Sequence, residues 1–277
     1  MTMGFIKTIE VIGGVILIAL VFGVPAYLYL SHAGGAKYRK AFFGRRVIKE
    51  QSMEIPLDGN FCAAATVASY MLKTDEKSMT EPVTAAYYLK WLDEGVMSPG
   101  KEGSERCLVL NRAENPFKDS VERKLYDFAM KASRDGVSLT SEKLDGWAYL
   151  HHTQVLVSAD FKEAGMKWFK KHGYFYKDGV FSPVLTPEGQ AEAVKVVALK
   201  NYLEAAAKGK EGFPPEGTPI MDYMRYALLF GLEDDLCQAW QSILPEGFAS
   251  NLKMCKDFVG QMELQRSLAA DKEAGFD

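Results

Sequence analysis

The sequence predicts a mainly α-helical protein with small β wings, which follow a single transmembrane helix. Three observations predict this class: an uncharged, mostly apolar run near the start, apolar residues at helical spacing through most of the remainder, and two short β-like segments bounded by turn residues. They divide the chain into a transmembrane anchor (1–36), a basic juxtamembrane linker (37–60), two winged-helix-like units (61–115 and 116–207) and a C-terminal helical segment (208–277).

The apolar run, Val11–Leu30, is long enough to cross a bilayer. Its twenty residues would cover about 30 Å as a helix, the thickness of a hydrocarbon core. Only Lys7 and Glu10 carry charge before it, whereas a basic cluster without an acid follows it. That cluster consists of Lys37, Arg39, Lys40, Arg45, Arg46 and Lys49. The asymmetry predicts a single-pass protein of the bacterial inner (cell) membrane, with its N-terminus outside, its C-terminal domain cytoplasmic and the basic cluster on lipid headgroups.

A cleaved signal peptide is the alternative interpretation of this segment. Ser31-His32-Ala33 supplies small residues at a spacing suited to cleavage. The apolar run is longer than the usual core of a signal peptide, and a basic cluster directly after a cleavage point would hinder export, so the anchor is favoured. Whether the segment is cleaved stays open at this point.

The net charge and the cysteine spacing indicate which partners and which compartment to expect for the rest of the chain. Residues 1–50 carry a net charge of +5, and residues 51–277 carry −8. An acidic domain argues against binding to nucleic acid, which relies on lysine and arginine. The four cysteines (Cys62, Cys107, Cys237 and Cys255) show no paired metal-binding spacing, which is typical of reduced thiols in the cytoplasm.

The first unit begins with two predicted helices. Apolar residues at helical spacing predict a helix over Phe61–Lys73, with Asp58 or Asn60 as its N-cap. A second helix is expected over Glu81–Glu94, with Thr80 as N-cap and a proline in the first turn.

Two short strands are expected after these helices. Val96-Met97 and Cys107–Leu110 are apolar, and the polar, glycine-bearing stretch Ser98–Arg106 separates them. Two helices followed by strand, loop and strand give the outline of a winged helix.

The second unit repeats this outline. Its first expected element is an amphipathic helix whose apolar face consists of Val121, Leu125, Phe128, Ala129 and Ala132. The others are a helix from Thr140 or Ser141 to about Tyr149, a helix over Asp160–His172, a hairpin turning at Asp178-Gly179, and a long helix over Pro187–Ala207 with Thr186 as N-cap.

The C-terminal segment is expected to contain three helices. They are Pro219–Phe230, a short helix with Leu236, Ala239, Trp240 and Ile243 in register, and a last helix over about Phe248–Ala270.

The sequence contains no motif that predicts catalysis or a cofactor. It lacks the phosphate-binding glycine loops, the HExxH zinc motif and the GxSxG nucleophile motif. His151-His152 are neighbours that point in different directions on a helix or strand, and Asp234-Asp235 suit the first turn of a helix. We therefore predict no catalytic, cofactor-binding or metal site. An enzyme whose site assembles from distant residues stays open as a third function, besides the two that follow.

Two functions are consistent with these features. The preferred one is a cytoplasmic interaction or scaffold domain that belongs to a membrane complex, with other proteins of that complex as partners and no identified small-molecule substrate. The alternative is a membrane-tethered winged-helix regulator that binds nucleic acid. Residues that would serve an interaction surface are Trp91, Lys167, Trp168, Lys170 and Lys171.

Several segments resemble a known family. A span followed by Gly44-Arg45-Arg46 precedes Ile55–Gly59 and an alanine-rich helix. Farther on come Leu185–Gly189, Leu199–Leu203 and Tyr226–Leu232, and then Trp240. In this order they resemble the cytoplasmic region of YciQ-like bacterial membrane proteins, a domain-of-unknown-function family, over roughly Arg39–Leu244. Its members commonly have an extracytoplasmic β-domain and further membrane helices, which this sequence does not show, and the resemblance implies no reaction.

Overall fold

The computed structural model describes residues 48–71, 79–112, 114–144, 147, 158–175 and 184–273. Within these ranges the protein is mainly helical, with one small antiparallel sheet, which confirms the coarse fold class. A 3-10 turn at Leu57–Gly59 precedes helices α1 (Phe61–Met71), α2 (Thr80–Asp93), α3 (Ser120–Ala132), α4 (Ser158–Lys171), α5 (Pro187–Ala207), α6 (Ile220–Phe230), α7 (Glu233–Ala239) and α8 (Phe248–Glu273). The strands are β1 (Met97–Glu102), β2 (Glu105–Leu110) and β3 (Ser138–Leu139).

The predicted membrane span, Val11–Leu30, lies outside the described residues. None of the helices in the described ranges combines the length and the hydropathy that crossing a membrane requires. The anchor therefore stays a prediction from the sequence.

Helix α2 is the central helix of the structure. It packs against α6 and α8, and it also contacts β1. Its buried residues do not form a single stripe, because Val83, Ala86, Tyr87, Tyr88 and Trp91 lie on different sides of the helix. A helix that buries residues on several of its sides lies in the interior of a protein.

Helices α1 and α4 cross at small residues. Gly165 of α4 lies so close to α1 that a Cβ there would be 2.1 Å from Thr66 Oγ1 and 2.5 Å from the carbonyl oxygen of Cys62. Ala65 and Ala68 on α1 are fully buried. Small side chains on both helices thus allow their backbones to approach.

The β1–β2 hairpin is longer than the sequence predicts. Its pairing runs from Met97 opposite Leu110 to Glu102 opposite Glu105, so most of the polar stretch expected as a loop is paired. Gly103, which has a φ of +62°, begins the two-residue turn. Strand β1 lies at the edge of the sheet, where one side of the strand stays open and polar residues are tolerated.

Strand β3 was not expected from the sequence. Leu139 lies opposite Leu108, and Ser138 lies opposite Val109. A two-residue strand is too short to produce a visible alternation of polar and apolar residues. The sheet therefore has the order β1-β2-β3.

Two of the three predicted helix caps are correct. The Asn60 side chain accepts a hydrogen bond from the Ala63 amide (2.9 Å), and Thr186 accepts one from the Gly189 amide (3.2 Å) at the start of α5. The third prediction is wrong, because α2 begins at Thr80 itself, with Met79 at the cap position and no side-chain cap bond.

Most of the buried apolar side chains of the described residues form one cluster, which extends from Leu57 to Val259. All four cysteines are free thiols, and three of them are buried. Ile243 is 40% exposed, so it does not share the buried register of Leu236 and Trp240. The predicted hairpin turn at Asp178-Gly179 lies outside the described residues.

Candidate functional site: a basic and aromatic surface on α4

One side of α4 is buried and the other is exposed. Phe161, Gly165 and Phe169 face the interior at helical spacing. The lysines at 167, 170 and 171 are exposed, and Trp168 is half-buried between them. We call the group that consists of Lys167, Trp168, Lys170, Lys171, His172 and Tyr174 the α4 surface.

The aromatic rings of this surface contact one another. The rings of Trp168 and His172 are 4.0 Å apart, centre to centre, and those of His172 and Tyr174 are 5.7 Å apart and nearly parallel. Nδ1 of His172 also lies 2.8 Å from the carbonyl oxygen of Trp168. Trp168 and Tyr174 are half-buried, so each ring has one part in the protein and one part in solvent.

A well-formed helix end fixes these rings in place. Gly173 adopts a left-handed conformation (φ +71°) and its amide donates to the carbonyl of Lys170, while the Tyr174 amide donates to the carbonyl of Phe169 (3.0 Å). This is the double hydrogen bond of a Schellman motif, and the ring of Tyr174 contacts that of Phe169, as the motif favours. Tyr174 is therefore held by its backbone as well as by its ring.

The charges of the surface are only partly balanced. Lys167 pairs with Glu163, both exposed (2.6 Å), and the hydrogen bond from Lys167 lowers the pKa of Glu163. Lys170 and Lys171 form no ion pair with another residue in the described ranges. Their charges are favoured by the negative end of the α4 dipole, which explains why the helix tolerates both.

The α4 surface also adjoins helix α5. The carbonyl oxygen of Tyr174 accepts from the Thr186 amide (2.8 Å), and a Cβ on Gly189 would lie 2.6 Å from the same oxygen. Farther along α5, a hydrogen bond to Glu192 raises the pKa of Lys195, with a smaller contribution from the charge of Glu54.

The segment that enters the domain runs along the same helix. Asn201 donates to the carbonyls of Ile48 (3.2 Å) and Glu50 (3.0 Å), and the Ser52 amide donates to the carbonyl of Ala198. Residues 48–54 therefore follow α5 backwards, from Asn201 towards Lys195 and Tyr174.

Trp91 is not part of any exposed surface. It is fully buried, its indole N–H donates to Glu122 (2.8 Å), and it stacks on Phe117. The same carboxylate accepts from Lys90 (2.6 Å). The prediction of Trp91 as an interaction residue is therefore wrong, because its ring packs between α2 and α3.

Most of the predicted lipid-contacting cluster lies outside the described residues. This holds for Lys37, Arg39, Lys40, Arg45 and Arg46, and also for His151-His152. Lys49 is described and is exposed, and its amide donates to the Glu50 side chain (2.9 Å).

Two clefts of the structure contain a lysine that pairs with a carboxylate. A cleft of 310 Å³ between the start of α2, the end of α6 and α8 includes Glu233, which accepts from Lys256 (2.7 Å) through Oε1 and leaves Oε2 buried without a partner. A cleft of 260 Å³ beside the hairpin includes Lys143, which pairs with Glu102 and Asp135. In each cleft a lysine pairs with one of the lining carboxylates, Glu233 in the first and Glu102 in the second.

A third cleft is larger than these two. The groove between α7 and α8 measures 490 Å³ and has Phe248 and Leu252 in its apolar floor, beside the half-buried Cys237. The parts of the chain that the structure describes contain no group of three or more histidine, cysteine or acidic residues placed to hold a metal ion. Asp234 and Asp235 lie in the first turn of α7, where the helix dipole favours them, as the sequence predicts.

The structure thus brings together four of the five predicted interaction residues and adds two. Lys167, Trp168, Lys170 and Lys171 belong to one surface. His172 and Tyr174 join it through the Schellman turn, and the glycine after a basic, aromatic helix end is the sequence signal that indicates this turn.

Comparisons with known proteins add no relative. No family model matches the chain, and neither a curated protein nor a solved structure shows significant similarity to it.

Proposed function

We propose that this chain is a single-pass protein of the inner membrane whose cytoplasmic helical domain is an interaction or scaffold module of a membrane complex. The observation that carries the proposal is the apolar run Val11–Leu30 with its basic cluster, attached to a domain that has an exposed basic and aromatic surface. The proposal includes a place among the YciQ-like proteins.

The finer fold assignment is also part of this proposal. The order α1, α2, β1, β2 supports a first winged-helix-like unit, and α3, α4, the Phe175–Leu185 bridge and α5 support a second. In the first unit the helix in the recognition position is α2, which α6 and α8 cover. This arrangement favours contacts with protein over contacts with a DNA groove, since a recognition helix needs an exposed face.

Membrane integration is tested with two variants of the full chain. Leu17→Arg with Leu20→Arg places two charges in the middle of the run, and each costs about 2.5–3.5 kcal/mol of insertion free energy. We expect this variant to leave the membrane fraction on alkaline extraction, whereas the control Leu17→Ala with Leu20→Ala stays in it. Full retention of the arginine variant would contradict the anchor.

The complex is tested by purification in mild detergent. A scaffold should elute with partner chains above the size of its monomer, and a chain that elutes as a lone monomer would count against the scaffold.

Nucleic-acid binding is the second candidate function, and the exposed lysines of α4 favour it. It predicts that the full chain in detergent retains duplex DNA at low salt, that retention falls steeply as salt rises, and that Lys167, Lys170 and Lys171 are required. An absence of retention at low salt would eliminate this function.

A further inference from the structure

We propose that the α4 surface is a second membrane contact, which lies on the anionic phospholipid headgroups of the bilayer that Val11–Leu30 enters. This inference rests on the proposed membrane anchor. It assigns to the cytoplasmic domain a fixed side that faces the lipid.

Charge determines which side of the domain can approach a membrane. Residues 51–277 carry a net charge of −8, so most of the domain surface is repelled by an anionic leaflet. The α4 surface offers three exposed lysines within five residues, and two of them have no carboxylate partner among the described residues. A local basic group of this kind is attracted to anionic headgroups within about a Debye length of the surface.

The aromatic residues suit the same environment. Trp168 and Tyr174 are half-buried, and each has an apolar ring and a polar tip, which is the combination enriched at the membrane–water boundary. Because the Schellman turn and the Thr186 hydrogen bond already hold Tyr174, the backbone of this residue is in place before the surface meets the bilayer.

The path of the chain places the surface within reach of the membrane. Residues 48–54 run along α5, and from Asn201 to Gly189, where Tyr174 packs, α5 covers about 18 Å. The seventeen residues 31–47 can span at most about 58 Å between the end of the apolar run and Ile48. The contact therefore needs no rearrangement of the described domain.

The contact is tested on the full chain in vesicles, by fluorescence quenching with lipids whose acyl chains carry bromine. Trp91 and Trp240 are buried and Trp147 is half-buried, so Trp147→Phe leaves Trp168 as the reporter. Quenching of the tryptophan fluorescence of this variant should rise with the fraction of phosphatidylglycerol in phosphatidylcholine. Adding Trp168→Phe to the same variant should abolish the rise.

The lysines are tested by matched triple substitutions. The first triple variant combines Lys167→Gln, Lys170→Gln and Lys171→Gln. It should lower the ratio of domain with its α4 surface on the bilayer to domain away from it about 100-fold, which is the effect of three basic residues at an anionic surface. The control removes three exposed lysines elsewhere (Lys101→Gln, Lys118→Gln and Lys131→Gln) and should leave the ratio within about threefold of the parent. Thermal unfolding of both triples, followed by circular dichroism, identifies any loss of folded protein.

The remaining outcomes of these experiments contradict either the proposed anchor or the proposed second contact. A chain that alkaline extraction removes from the vesicles overturns the proposed anchor. If the chain stays integrated and Trp168 is not quenched at any lipid composition, the second contact is wrong and the anchor stands. Equal quenching in the two triples also overturns the contact, and duplex DNA retained through the same lysines without quenching assigns the surface to nucleic acid instead.

Discussion

The crossing of α1 and α4 predicts a specific cost for one added methyl group at Gly165. A Cβ at this position would lie 2.1 Å from Thr66 Oγ1 and 2.5 Å from the carbonyl oxygen of Cys62. The Thr66 hydroxyl cannot simply rotate away, since it donates to that same carbonyl (2.9 Å), and the carbonyl belongs to the α1 backbone. The two helices must therefore separate.

The size of the effect follows from two opposing contributions. Overfilling a close-packed interior costs up to about 3 kcal/mol, and alanine is more favourable than glycine inside a helix by about 1 kcal/mol. We expect Gly165→Ala to lower the free energy of unfolding by about 2 kcal/mol, which corresponds to a fall in the melting temperature of about 4–8 °C for a domain of this size. Urea and thermal unfolding of the full chain in mild detergent measure both quantities.

Gly260 of α8 supplies the matched control. It is also a helical glycine, but the atom nearest to a Cβ there is Glu81 Oε1, at 3.9 Å. Gly260→Ala should therefore raise the stability by about 0.5–1 kcal/mol, the helix propensity alone. If Gly165→Ala is as stable as the parent chain while Gly260→Ala behaves as expected, α1 and α4 do not cross at Gly165.

Three further predictions concern buried and charged groups. Glu122→Ala removes the acceptor of the Trp91 indole and the partner of Lys90, so it should lower the free energy of unfolding in urea by about 3 kcal/mol. Glu122→Gln keeps an acceptor for the indole and should lower it by about 1 kcal/mol. Equal losses in the two variants would contradict this role of the carboxylate. The hydrogen bond from Lys143 lowers the pKa of Asp135 to about 2, so this pairing contributes stability above the ordinary aspartate pKa and loses it as the pH falls through about 2. Lys143→Met should raise the Asp135 pKa in a carbon NMR titration, though not fully, because the Val137 and Ser138 amides still donate to it. Cys237 is half-buried and the other cysteines are buried, and burial raises the pKa of both Cys62 and Cys255 to about 12. Alkylation followed by mass spectrometry should therefore modify Cys237 first, and early labelling of Cys62 or Cys255 would show that the core opens.

Helices were predictable wherever their start signals were local. Thr186 followed by proline predicts both the start and the cap of α5, and Asn60 predicts the start of α1, because each bond joins residues three apart in sequence. Thr80 is also followed by a proline in the first turn of a helix, but α2 starts at Thr80 itself, so Thr80 is not its N-cap. Here burial of Thr80 and Met79 against neighbouring helices outweighs the local preference.

The sheet was harder to predict because its evidence is not local. Ser98–Glu102 is polar and contains proline and glycine, which indicates a loop, but pairing with the apolar β2 makes it an edge strand. Strand β3 consists of two residues, and its partner lies about thirty residues earlier in the chain. Such a strand exists only through its hydrogen bonds to β2, and no periodicity reveals it.

The site was partly predictable for a related reason. The lysines and Trp168 follow one another on a single helix, so their exposed side follows from the buried positions of Phe161, Gly165 and Phe169. The burial of Trp91 depends instead on Glu122, which lies 31 residues away and accepts its indole N–H. The sequence pattern around a tryptophan does not distinguish a buried ring, such as that of Trp91, from a half-exposed one, such as that of Trp168, until the long-range partner is known.

The two basic regions of this chain are related through its distribution of charge. The sequence concentrates positive charge before residue 50 and leaves an acidic remainder, and within that remainder α4 ends in three lysines beside two half-buried aromatic rings. The two regions are far apart in sequence, but the entering segment and Tyr174 both pack along α5. An acidic domain held near an anionic surface only by a tether would turn its basic side towards that surface, since most of the remaining domain surface is repelled. Replacing Gly189 with alanine would displace Tyr174 from α5 while leaving all the lysines in place. We therefore expect Gly189→Ala to weaken the proposed lipid contact of Trp168, as measured by bromolipid quenching, less than the lysine triple does.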